Sequence, residues 1–281
     1  MREKWLDRLG QWLITLGGLG VIATVLMLAL YLIFTVAPLF KPAAMAPMAS
    51  FATPLPEAGE SLYLASDESL QLGFRLTASG EMIFFALADG SLAQVESLPL
   101  PAGARISSVG VDPEAGGLLA LGLSNGSVFL LRPRYDPGYE ESPRRVSPHL
   151  DFPYGGEPFE IAAGEGLQSI AVREGENGVM VLAQGRDALR LGLIRDSAVA
   201  GAGIQVTAWS QTPVPAASKL LLSRDQRWLA LLDTRGRIHA ALVEQFEEFG
   251  GISVPPPGAA LQDVDWAAGG QSLLGIDDEG V

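Results

Sequence analysis

Cysteine is absent from the 281 residues, which excludes disulfides, thiolate zinc sites and thiol nucleophiles. Lysine is scarce. Lys4, Lys41 and Lys219 are the whole set, and none lies in a Gly-rich phosphate loop, so ATP hydrolysis by this chain is disfavoured. Histidine occurs twice, at His149 and His239, 90 residues apart. His239 falls in an expected strand and reads as a strand residue, not a metal ligand. Asp277, Asp278 and Glu279 read as a solvated turn. No nucleophile elbow of the G-x-S-x-G kind is read. The expectation is a protein that is not an enzyme and has no cofactor.

Charge is sparse and one-sided. Only 18% of residues are charged, and the formal net charge is −13. Residues 42–281 hold 15 Lys and Arg against 30 Asp and Glu. Such a surface repels phosphates, which disfavours nucleic acid as a partner.

One segment has no charge at all, from Leu9 to Phe40. Its densest part, residues 16–37, supplies the roughly 20 apolar residues a spanning helix needs. Arg2, Lys4 and Arg8 precede it and only Lys41 follows closely. Flanking positive charge of that kind keeps the N-terminus in the cytoplasm and exports the remainder. A cleaved signal peptide is the rival reading, with Ala44, Met45 and Ala46 as a cleavage site, but its apolar core is usually only about 7–15 residues. Before the span, Trp5, Leu6, Leu9, Trp12, Leu13 and Leu16 recur at helical spacing. Residues 1–15 are therefore expected to form an amphipathic segment at the membrane surface. Pro38, Pro42, Pro47, Pro54 and Pro56 then mark residues 38–58 as a stiff linker.

Beyond the linker a pattern recurs. Residues 70–76 alternate, Ser79-Gly80 turns, residues 82–87 are apolar, Asp89-Gly90 turns again, and residues 91–95 follow. Similar units lie at 106–131 with Asn125-Gly126, at 218–242 with Gly236, and from 261 to Gly280; a weaker one spans 169–194 around Gly185. Asp-Gly and Asn-Gly favour tight hairpins because the turn needs positive φ. The glycines of the second turn, at 90, 126, 185, 236 and 280, lie 36, 59, 51 and 44 residues apart. WD-repeat blades recur about every 40–45 residues. The expected fold is mainly β: an N-terminal transmembrane helix followed by an incomplete β-propeller over residues 59–281. A β-sandwich is the alternative. Val281 follows Gly280 where a strand is due, so the last unit reads as truncated, with a longer polypeptide or a partner completing the ring.

The stretch from Arg132 to Phe159 shows no periodicity and is read as a loop of about 27 residues, a length usually functional. Arg132, Arg134, Tyr135, Arg144, Arg145, Phe152 and Tyr154 concentrate there the residue types favoured at interface hot spots. They are the candidate partner-contact residues.

Asp7-Arg8-Leu9, the string from Ile14 to Ile22, and Val36-Ala37-Pro38-Leu39-Phe40 resemble the N-terminus of the long form of the bacterial phosphate ABC transporter permease. In that family the first helix leads into a large periplasmic WD-repeat-like domain, and the permease helices follow; they are absent from these residues. The resemblance implies a role in phosphate uptake at the bacterial inner membrane. Its implied partners are membrane lipid, another permease subunit, an ATPase subunit and a periplasmic phosphate-binding protein. The exported domain would dock or regulate. An inner-membrane-anchored periplasmic scaffold for envelope protein assembly is the alternative.

Overall fold

The computed structural model of the protein describes residues 2–40, 50–112, 114, 116–137, 146–176, 178–186, 188–196, 204–211, 214–248, 252–254, 260–267 and 272–277. The chain divides into two compact units, Met1–Met48 and Ala49–Val281.

The first unit is one helix. α1 spans Arg2–Val36 without a break and ends in a 3-10 turn, Ala37–Phe40. Residues 2–15 and the segment after them belong to a single helix. Within it, Trp12–Val36 is long and apolar enough to cross a membrane. Trp12, Ile14, Leu19, Met27, Leu30 and Phe34 are all exposed, so the apolar surface runs around the helix from Trp12 to Phe34. A helix hydrophobic all round is suited to lipid. Its polar groups are satisfied internally: the Thr24 and Thr35 hydroxyls donate to the Gly20 and Tyr31 carbonyls at 2.8 Å.

The second unit is built of strands β1 (Ser61–Ser66), β2 (Leu72–Thr77), β3 (Glu81–Ala86), β4 (Leu92–Ser97), β5 (Ile106–Asp112), β6 (Leu118–Leu123), β7 (Ser127–Pro137), β8 (Val146–Asp151), β9 (Phe159–Glu160), β10 (Ser169–Gly175), β11 (Gly178–Gln184), β12 (Leu189–Asp196), β13 (Ile204–Gln211), β14 (Ala217–Leu222), β15 (Trp228–Asp233), β16 (Ile238–Leu242), β17 (Ile252–Val254), β18 (Leu261–Trp266) and β19 (Leu273–Asp277). They form antiparallel sheets in simple sequential order: β1 to β4, β5 to β8 with β9 added on β7, β10 to β13, β14 to β17, and the pair β18–β19.

Each sheet packs face to face on the next, and a separate core fills each interface. Phe74 and Phe84 of the first sheet meet Leu119, Leu121 and Phe129 of the second. Leu118, Ala120 and Leu130 of the second meet Ile170, Val172 and Val181 of the third. Leu182 and Leu191 pack on Leu220 and Leu229, and Ala230 and Leu232 on Val264. Neighbouring residues of β6 therefore serve opposite cores. This is why the second strands read LGFRLT, LLALGL, GVMVLAQ and WLALLD, nearly continuous rather than alternating. A strand covered on both faces has no solvent side to make polar. The sandwich alternative fails here, because a sandwich has one core between two sheets. Strands β5, β10 and β14 lie side by side at the inner edges of their sheets. The architecture is an incomplete propeller, with two strands in the fifth sheet among the described residues.

A recurring latch joins successive sheets. The chain entering each new sheet binds the hairpin between the second and third strands of the sheet before it. Ile106 N–H donates to Ala78 at 2.9 Å, Leu167 to Leu123 at 3.3 Å, and Leu261 to Gly236 at 3.2 Å. In the remaining case the Gln184 side chain accepts from Ala217 N–H at 2.7 Å and donates to the Pro215 carbonyl at 2.8 Å. Gly126 and Gly236 have φ of +86° and +74°, and a Cβ there would lie 1.6 Å from the Ala162 oxygen or 2.6 Å from the Leu261 nitrogen. Glycine is required both for the turn and for the close approach.

These contacts correct the register of the first repeat. The equivalent turn is at Gly80, not Gly90, because β1 precedes the first strand read from the pattern. The linker boundary also moves. Buried Arg75 donates from its guanidinium to the Gly59 carbonyl at 3.2 Å, to the Ser61 hydroxyl at 3.1 Å and to the Leu55 carbonyl. Phe51 packs edge-on against Phe85 at 5.9 Å. The stretch from residue 50 to 58 is part of the β unit rather than a free spacer; Pro42 and Pro47 lie outside the described residues.

Candidate binding cleft

The stretch read as a loop after Arg132 is largely a hairpin. β7 continues past Leu131, leaves β6, and pairs with β8 from Arg132↔Asp151 to Pro137↔Val146. Its prolines at 133, 137 and 148 hid the strand signal, because proline within a run argues against a strand.

The hairpin divides the predicted contact residues. Arg132 is buried, and its guanidinium donates to Glu174 at 2.6 Å. The Tyr154 hydroxyl donates to the other oxygen of the same carboxylate. Phe152 turns inward onto Phe129, with ring centroids 5.6 Å apart. These residues join the second sheet to the third or fill its core, so they are not a free contact surface. Arg144 and Arg145 lie outside the described residues. His149 stands 3.4 Å from Asp136.

Arg134 and Tyr135 remain, and both line a cleft of about 560 Å³ between the first and second sheets. Tyr63 and Phe74 form the wall from the first sheet, and Leu119 and Tyr135 the wall from the second. The aromatic rings are in contact: Tyr63 and Phe74 lie 5.9 Å apart, and Tyr135 meets Phe84 edge-on at 6.4 Å. Buried Asp67 and exposed Glu68, in the β1–β2 turn, also line it. Arg134 is half-exposed there, 3.7 Å from Asp151.

Asp67 is held as an anion. Burial pushes its pKa up, but donors from Ser69, Gln71 and Leu72 outweigh burial and hold it below the ordinary carboxylate value. The backbone N–H bonds from Gln71 and Leu72 are 2.7 and 2.8 Å long. The Tyr135 hydroxyl is buried and has no hydrogen-bond partner among the described residues. Burial first, and then the charge of Asp67, push its pKa well above the ordinary 10.0, so the phenol stays protonated. Sequence reasoning found Arg134 and Tyr135 but missed Tyr63, Asp67 and Phe74. The turn residues Asp67, Glu68 and Ser69 were the available signal.

A second cavity of about 460 Å³ opens among β5, β10 and β14. Its cations are already matched: Arg173 pairs with buried Asp112 at 2.9 Å, and Lys219 with Asp263 at 2.9 Å.

Two other sites of chemical interest resolve into structure. His239 lies on β16, and its Nε2 is 3.2 Å from the Asp233 carboxylate, which also receives Arg235 and Arg237 N–H groups at 2.9 Å. Burial raises the Asp233 pKa, but these donors outweigh it and bring the group to about 2. The string Gly122-Leu123-Ser124-Asn125-Gly126 satisfies the G-x-S-x-G spacing and corrects the reading that none exists. It occupies the hairpin between β6 and β7, a strand–turn–strand, whereas the elbow needs strand–turn–helix. Ser124 Oγ accepts from Arg105 N–H at 3.1 Å.

No family model matches the chain, and no curated protein matches it. Among solved structures, it is similar to the β-propeller domain of Cps50 (Swd1) from Myceliophteria thermophila. The identity is 12% and the TM-score 0.48, over 78% of this chain. The chain spans 62% of that domain's length. The likeness is weak, and the architecture described above rests on the sheets themselves.

Proposed function

We propose that the chain is a membrane-anchored docking module. α1 is its anchor and the propeller-like unit its binding part. The observation that carries the docking reading is the cleft between the first two sheets. There aromatic walls, a fixed carboxylate and a phenol unpaired among the described residues meet in a volume within the range of about 300–1,000 Å³ typical of binding pockets. A few convergent polar groups on an apolar floor are what such sites use for orientation.

The resemblance of the N-terminal segment supports a role for this module in ATP-driven phosphate uptake, on the periplasmic side of the bacterial inner membrane. On that reading the module engages the phosphate-binding protein that delivers substrate, and the ATPase and a permease subunit belong to the same assembly. The strongly acidic surface argues that it does not hold phosphate itself. The test is co-purification of the full chain, in detergent, with the phosphate-binding protein. Saturable binding that is weakened by Tyr63→Ala or Glu68→Arg is expected. Binding indifferent to both changes, or no binding, contradicts it.

A further inference from the structure

We propose that the cleft between the first and second sheets receives the side-chain ammonium of a lysine presented by the docked protein. The inference rests on the docking reading above and names the chemistry of the partner.

Asp67 takes backbone N–H donors from Ser69, Gln71 and Leu72, and also the Ser69 hydroxyl, so most of its acceptor capacity is spent within its own turn. It cannot swing out to meet a ligand, and it stays ionised near neutral pH. It therefore acts as a fixed negative potential in the lining of the cleft. Glu68 beside it is exposed and free to approach an incoming cation. Arg134, which also lines the cleft, is partly offset by Asp151. An entering anion would meet Asp67, Glu68 and the acidic surface of the whole unit; a cation meets a favourable field.

The interior has matching groups. A lysine stem of four methylenes fits against the apolar walls. Its ammonium then comes within reach of the aromatic faces, whose electron-rich surfaces attract cations. The Tyr135 oxygen supplies a lone pair that nothing in the described residues uses. A buried hydroxyl without a partner carries a desolvation cost that a ligand donor removes. Lysine is favoured over arginine because one open acceptor suits a point-like ammonium, whereas the guanidinium fork needs paired acceptors.

The experiment uses the full chain in detergent micelles with 3-fluorotyrosine at its five tyrosines. Tyr→Phe variants assign the fluorine resonances. The probes are N-acetyl-lysine methylamide and its norleucine, arginine and glutamate counterparts, together with phosphatidylethanolamine vesicles. The lysine probe is expected to shift the Tyr63 and Tyr135 resonances saturably and leave Tyr154 unmoved. Norleucine and glutamate should not, and arginine should bind more weakly. Tyr135→Phe should weaken lysine binding about five-fold, the loss of one hydrogen bond, and Glu68→Gln about two-fold. An unmoved Tyr154 resonance reports that each variant is folded. Equal response to norleucine, preference for glutamate, response to vesicles alone, or no response overturns the lysine assignment. Docking stands or falls separately, on the co-purification with the phosphate-binding protein.

Discussion

Arg132 and Glu174, 42 residues apart in sequence, meet at 2.6 Å across the boundary between the second and third sheets. Tyr154 donates to the same carboxylate, so one acidic group gathers two side chains from an irregular-looking stretch. Replacing Arg132 with Ala leaves a partly buried carboxylate short of its cation and is expected to cost about 2 kcal/mol. Arg134→Ala, at a half-exposed pair, should cost no more than about 0.5 kcal/mol. Urea unfolding of the two variants checks the contrast.

The latch between sheets predicts a second contrast. Gly126→Ala forces a Cβ to within 1.6 Å of the Ala162 oxygen at a positive φ. Gly103 also has positive φ, +78°, but open space around it. Gly103→Ala should cost about 1–2 kcal/mol from backbone conformation alone. Gly126→Ala should cost clearly more and should raise amide exchange at residues 161–167, where the following chain is latched.

Asp233 carries a pH signature. Its carboxyl titrates near 2 when folded against an ordinary 3.8, so the folded state favours the anion. Its contribution to stability is complete above about pH 4 and is lost as pH falls through about 2. Asp233→Asn should therefore be less stable than the parent at pH 6, and the difference should shrink as pH is lowered from 4 towards 2. A constant difference across that window contradicts this assignment.

Arg75 pairs with carbonyls and a hydroxyl, and with no carboxylate among the described residues. Its role is to hold residues 55–61 against the first sheet. Arg75→Met should speed proteolytic cleavage in that stretch while residues 118–131 keep their protection.

Much of the architecture was legible because strands covered on both faces leave continuous apolar runs. Leu118 to Leu123 and Trp228 to Asp233 announced themselves that way, and their Gly turns marked the hairpins. The outer strands did not. β4 and β13 are exposed on most positions, so they carry no strong pattern. β1, SLYLAS, alternates only weakly in residue type, so the repeat pattern first shows at β2, one strand late. The cleft was half legible. Arg134 and Tyr135 stood out by residue type, but their partners Tyr63, Asp67 and Phe74 are about 60–70 residues earlier and meet them only through the packing of one sheet on the next. Arg132 and Tyr154 shared that composition yet serve Glu174, because burial cannot be read from residue type alone.

We propose that α1 crosses the membrane once and delivers the β unit to the far side, where a periplasmic partner can reach it. The chain has no cysteine, so a single introduced thiol reports without background. Ala93→Cys lies at an exposed position on β4, and Glu3→Cys at the other end of the chain. In intact spheroplasts a membrane-impermeant maleimide should label Ala93→Cys at once and Glu3→Cys only after lysis. Labelling of Glu3→Cys alone would contradict the account.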